Sequence, residues 1–119
     1  MESKELRIGN WVEKSIKSGQ GRKIFSKIGC QDIVRISENT GCFNYEPIPL
    51  SEELLLKAGF EKMRKSLFFS VGYKKGNTII VQILDNGFND TNNNSINFVH
   101  DLQNKYYIEN NKTELEINL

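Results

Sequence analysis

Apolar residues recur along this chain in two rhythms: alternation with polar residues, as in a half-buried strand, and three- and four-residue spacing, as on one face of a helix. From residue 5 to residue 46 the pattern is strand-like. Leu6 and Ile8, then Trp11, Val12 and Ile16, supply the first apolar set, bent or bulged at Gly9-Asn10. Ser18-Gly19-Gln20-Gly21 reads as a turn, Ile24, Phe25 and Ile28 as a second strand, and Ile33, Val34 and Ile36 as a third. Glu38-Asn39-Thr40-Gly41 turns the chain again ahead of Cys42, Phe43 and Tyr45. Short strands punctuated by Gly and Asn predict a small antiparallel sheet or an SH3-like partial barrel.

The sharpest local signal lies between residues 47 and 60. Pro47-Ile48-Pro49 is extended, because proline fixes φ and restricts the residue before it. Ser51 is a good N-cap, Glu52 and Glu53 favour the positive end of the helix dipole, and Leu50 and Leu55 fall at the positions of a hydrophobic staple. Gly59 stands where a left-handed residue ends a helix, with Phe60 placed to pack back on Leu55. A short helix over about 51–58 follows.

Residues 61–98 predict a β-meander: a strand from Leu67 to Tyr73, a turn at Lys74-Lys75-Gly76-Asn77, a return from Thr78 to Leu84, and a hairpin-type turn at Asp85-Asn86-Gly87. Asn89 to Asn94 is polar throughout and reads as a mobile loop tip, with a third strand near Ser95-Ile96. A second helix is predicted from Asn97 or Phe98 to Glu109, with Val99, Leu102, Tyr106 and Ile108 on its buried face. Thr113 to Leu119 alternates like an edge strand or a frayed tail. The whole is expected to be one α+β domain over 1–119: a strand-rich part at about 5–46, the helix at 51–58, and the meander with its amphipathic helix at about 60–110.

Composition changes this picture little. With 119 residues, 38% hydrophobic and 26% charged, the chain is long enough to bury a core without a metal or disulfide. No apolar run approaches a membrane span, and Met1-Glu2-Ser3-Lys4-Glu5 leads into no apolar signal region, so a cytoplasmic protein is expected. Cys30 and Cys42 then read as free thiols. The Asn-x-Ser/Thr matches at Asn89, Asn93 and Asn111 read as coincidence in so Asn-rich a chain.

Charge is unevenly spread although the net is only +1. Basic residues concentrate in 14–27 and in 64–75, each followed by an acidic stretch. Lys14, Lys17, Arg22, Lys23 and Lys27 in one segment, and Arg64, Lys65, Lys74 and Lys75 in the other, stand near Trp11, Phe25, Phe68 and Tyr73. Cations interleaved with aromatics on a small sheet are one way to hold single-stranded nucleic acid. The near-neutral total favours the plainer reading, lysines solvating hairpin tips over core aromatics.

Site chemistry is sparse. His100, the only histidine, is the one general base near neutral pH and pairs on paper with Cys30 or Cys42, but nothing around either cysteine resembles a nucleophile turn. On a helix beside Asp101 it reads as a surface or capping residue. The cysteine spacing and lone histidine do not suit zinc. Asp85 and Asp90 among asparagines match a calcium loop in composition only. No phosphate loop, carboxylate dyad or nucleotide fingerprint is present, and no cofactor is expected. The expected function is a non-enzymatic binding or accessory module working through an unidentified protein partner or self-association. Nucleic-acid binding is the alternative, and catalysis through His100 a remote third.

Three segments carry a resemblance: Lys4 to Val12 (KELRIGNWV), Glu46 to Phe60 (EPIPLSEELLLKAGF), and Val99 to Tyr107 (VHDLQNKYY) followed by Glu114-Leu115. In them the chain resembles a family of small uncharacterised proteins of phages, prophages and mobile elements of Bacteroidetes-type bacteria. The family usually has Tyr at Trp11, an apolar residue at Lys105 and a Thr-Gly helix ending at Asn110-Asn111-Lys112. The resemblance implies a bacterial cytoplasmic setting and a mobile-element origin, and carries no activity, ligand or catalytic residue.

Overall fold

The structure, a computed structural model, describes residues 3–16, 23–38, 40–41, 43–63, 71–82, 87–92, 94–117 and 119. It is α+β, with two small antiparallel sheets and three helices. The chain divides into two compact units, Met1–Ile48 and Pro49–Leu119.

In the first unit, β1 (Trp11–Ile16) lies between β2 (Ile24–Lys27) and β3 (Phe43–Glu46), both antiparallel to it. A turn from Arg7 to Asn10 leads into β1. Gly9 takes φ +95° there, and its N–H and the Asn10 carbonyl both bond Ile28, at 2.8 Å each. Two residues opposing one, the first a left-handed glycine, make a G1 bulge. The buried Asn10 side chain closes the turn by accepting the Arg7 N–H.

Of the two forms expected for this part, the small open sheet is the one formed. The strand expected at Ile33, Val34 and Ile36 is instead α1 (Cys30–Glu38). Ile33 and Ile36, three residues apart, fall on one helical face and pack with Tyr45 against Leu6, Val12 and Ile28. The start is marked by Asp32, whose Oδ2 accepts the Gly29 N–H at 2.9 Å, the reach-back half of a capping box. Core burial and this cap outweigh the weak strand preference of three β-branched residues.

The second unit contains α2 (Glu52–Lys57), whose N-cap, acidic first turn and left-handed glycine are where the sequence placed them. Ser51 Oγ accepts the Leu54 N–H at 3.3 Å. Gly59, at φ +90°, donates to the Leu56 carbonyl and Phe60 to the Leu55 carbonyl, the two bonds of a Schellman ending. The meander follows as β4 (Glu61–Met63), β5 (Val71–Lys75), β6 (Thr78–Gln82) and β7 (Phe88–Asp90), paired in that order. Lys74 and Lys75 belong to β5, and the turn is the two residues Gly76-Asn77. The expected strand residues Leu67 to Phe69, the turn at Asp85-Asn86 and the Ser18–Gly21 turn lie outside the described residues.

One expectation here is corrected. The described residues of this stretch, 89–92 and 94, are not a loose tip: Asp90, 5% exposed, gathers them. The Asp90 carboxylate accepts the Asn92 and Asn94 N–H groups at 2.9 and 2.8 Å, and Lys105 Nζ stands 3.1 Å away. Asn89 bridges Ser95, and the Ile96 N–H bonds the Phe88 carbonyl, so the chain doubles back on β7. Local side-chain-to-backbone bonds are what asparagine-rich turns offer, and a buried acid completes them.

The last helix, α3 (Val99–Glu109), lies where it is expected, with Val99, Leu102 and Tyr106 buried and Ile108 left exposed. Asn111 and Lys112 take positive φ, and the Lys112 N–H closes on the Tyr107 carbonyl. Lys105, Tyr106 and Asn110 meet Asp90, Lys75 and Thr78, which places α3 on the sheet face carrying those residues. Beyond it Leu115 and Ile117 are buried, and the described residues of the tail form no strand.

Candidate functional site

The first unit presents the least satisfied surface among the described residues. Register places Val12, Lys14 and Ile16 on one face of its sheet with Ile24, Ser26, Phe43 and Tyr45. Trp11, Glu13 and Ser15 lie on the other with Phe25, Lys27, Asn44 and Glu46. The first face carries the Val12–Tyr45 core against α1. At its hairpin end, however, Ile16 and Ile24 are 44% and 55% exposed. On the second face Phe25 is 47% exposed. Adjacent strand residues point to opposite sides, so one covering helix cannot bury both Ile24 and Phe25. That adjacency is legible in the sequence, where Ile24 and Phe25 fall together in the second strand.

The nine basic residues singled out in the sequence separate into groups. Lys14 is spent inside the first unit: its Nζ lies 3.5 Å from Asp32 Oδ1 and 4.1 Å from the Phe43 ring centre. Lys75 is spent likewise, donating to the Ala58 carbonyl at 2.7 Å and lying over Tyr106. Lys74 is exposed, directly across from Glu61. Lys23 is exposed, with Glu46 at 3.9 Å, and Lys27 is exposed with its Nζ 5.5 Å from the Trp11 ring centre. Lys17, Arg22, Arg64 and Lys65 lie outside the described residues. The structure therefore brings Lys23 and Lys27 together with Trp11 and Phe25, and sets Glu13 and Glu46 on that same face.

Asp32 organises the covered side. Its carboxylate accepts the Gly29 N–H and, at 2.7 Å, the Tyr45 hydroxyl, with Lys14 and Arg35 nearby. Burial alone raises its pKa, but those hydrogen bonds and the Lys14 charge outweigh it and hold the carboxyl below its ordinary value. The Tyr45 hydroxyl is pushed up, first by burial and then by Asp32. A carboxyl with a depressed folded pKa contributes stability that is complete above its unfolded value and is lost as pH falls through the folded value. Chemical denaturation from pH 7 downward should therefore show stability steady to about pH 5 and falling below about pH 4. Asp32→Asn should flatten part of that acid slope.

His100 corrects its surface reading: it is fully buried, stacked on Phe98 with ring centres 5.7 Å apart, and its Nε2 lies 3.5 Å from Asp101 Oδ1. It belongs to the second unit, whereas the exposed Cys30 belongs to the first; Cys42 lies outside the described residues. Among the described residues, no group of three or more His, Cys, Asp or Glu is placed to hold a metal, and no helix is long and apolar enough to cross a membrane. Compared with family models, curated proteins and solved structures, the chain finds no match.

Proposed function

We propose that this chain is a non-enzymatic binding module that works through protein–protein contact. The observation that carries the reading is β2, an edge strand whose adjacent Ile24 and Phe25 are both about half exposed. Ile24 and Phe25 leave an apolar side chain exposed on each face of an edge strand, which is the surface an added strand would cover. The family resemblance supports an accessory role in a phage or mobile element and a setting in the bacterial cytoplasm. Nucleic acid is the second reading. Lys27 over Trp11 beside Phe25 favours it, while Glu13 and Glu46 on the same face repel a polyanion.

Selection of a displayed random-peptide library on the purified protein tests this. Peptides are expected to enrich on the wild type and to be lost on the Ile24→Glu/Phe25→Glu variant, whose folding is checked by circular dichroism. Equal enrichment on both proteins would remove the surface from consideration. A salt-sensitive mobility shift of single-stranded DNA with no peptide enrichment would favour the second reading.

A further inference from the structure

Resting on that reading, we infer that the partner is an extended segment that adds to β2 as a fourth strand, with acidic residues flanking an apolar one. The backbone makes the first half of the case. The Ile28 N–H bonds the Asn10 carbonyl at 2.8 Å, so Ile28 turns its backbone groups toward β1. In an antiparallel pair these orientations alternate, so Ser26 and Ile24 also face β1, and Phe25 and Lys27 direct N–H and C=O outward. Among the described residues, only a long 3.4 Å bond from the Ser26 hydroxyl to the Lys27 carbonyl touches that outward row. Three of the four β2 residues are exposed, and β2 ends its sheet.

Side-chain chemistry selects the occupant. Lys23 precedes β2 and reaches Glu46 on the Phe25 side of the sheet, so Lys23, Phe25 and Lys27 stand in line on one face. The segment Lys23-Ile24-Phe25-Ser26-Lys27 reads Lys-x-Phe-x-Lys in either direction and contains no acid. A second copy paired antiparallel about Phe25 would set Lys23 opposite Lys27 twice, and like charges directly opposed destabilise a strand pair. A strand reading acid-x-apolar-x-acid instead sets a carboxylate against each lysine and an apolar side chain against Phe25, with Ile24 adding an apolar contact on the reverse face. The Lys23–Glu46 contact, between side chains about 60% exposed, is readily exchanged. Main-chain bonds provide the affinity and the alternate side chains the selectivity, as in strand addition generally.

The test is fluorescence anisotropy with the full chain and labelled ten-residue peptides: one alternating acid and apolar residues in this order, one with each acid changed to lysine, and one N-methylated at alternate backbone positions. The first should bind, with affinity falling roughly tenfold on Phe25→Glu and again in high salt. The lysine and N-methylated peptides should fail, and the latter control does not depend on how any protein variant folds. Equal binding of either would overturn strand addition by an acidic segment while leaving a protein-contact surface. No peptide binding, with self-association in sedimentation that Phe25→Glu abolishes, would replace the acidic segment by a second copy. Binding of a single-stranded oligonucleotide alone would overturn both readings, and the absence of any binding would overturn this one.

Discussion

Asp90→Ala is expected to lower the unfolding free energy by about 3 kcal/mol, at the lower end of what removing one partner of a buried ion pair costs. The carboxylate is 5% exposed and serves four donors: the Asn92 and Asn94 N–H groups, the Asn94 side-chain amide at 3.2 Å and the Lys105 ammonium. Deleting it strands the ammonium, whose side chain is 18% exposed, with Glu109 Oε2 at 3.4 Å its one other ion-pair partner among the described residues. That second partner is why the lower end applies. Asp90→Asn should recover less than half of the loss, because its amide nitrogen is itself a donor turned on donors. Urea denaturation should show the midpoint falling with the slope unchanged. A shift below about 1 kcal/mol would mean that the loop carries its own stability without the acid. Burial by itself raises the Asp90 pKa, but the Asn94 and Lys105 bonds prevail and lower it, so this acid also adds to the loss of stability below about pH 4.

The second large effect is a coupled one. Gly76→Ala is expected to cost about 3 kcal/mol, through left-handed strain and a steric conflict together. Gly76 has φ +57° at the first position of a two-residue hairpin, and a methyl group there would run into Asn110 Oδ1. Asn110 cannot simply yield. Its Oδ1 accepts the Asn77 N–H at 2.8 Å, and its Nδ2 donates to the buried Thr78 Oγ1 at 3.0 Å and the Tyr106 carbonyl at 2.9 Å. With the Asn77 side-chain amide, which donates to the Glu109 carbonyl at 3.1 Å, it fastens the hairpin to the end of α3. Asn110→Ala should cost about 2 kcal/mol through those lost bonds. In the double variant the conflict is gone, so the combined loss should fall short of the sum by about 1 kcal/mol or more. Strict additivity in denaturation of all four proteins would show that the two residues do not meet.

Asn110 also shows why parts of this fold were hidden in the sequence. A paired asparagine near a helix end reads as a stop signal, and it is one, since Asn111 takes the left-handed conformation. That its neighbour ties down a turn more than thirty positions away depends on packing α3 across the sheet, which no local pattern encodes. Asp90 and His100 follow the same logic. Polar residues are assigned to the surface by default, yet both are buried here: Asp90 is satisfied by its own turn and by Lys105 from α3, and His100 is stacked on Phe98.

The candidate surface divides in the same way. Its residue types were legible: Phe25, Lys23 and Lys27 stand together in the chain, and the basic segment was noted for its aromatics. Exposure was not. Nor was the separation of that segment into Lys14, which closes the core side over Asp32 and Phe43, and the outer pair Lys23 and Lys27.

What this sequence determined by itself is the set of elements whose physics is local. Helix α2, with its cap and left-handed glycine, the Gly76-Asn77 hairpin and the extent of α3 all rest on bonds between residues a few positions apart. What only the tertiary structure decided is the state of segments whose local preferences are nearly balanced. Ile33, Val34 and Ile36 suit a strand by type and a helix by spacing, and burial of Ile33 and Ile36 against Leu6, Val12 and Ile28 chose the helix. The tertiary structure also set β2 at the edge of its sheet with Ile24 and Phe25 half exposed on opposite faces, where no one helix could cover both.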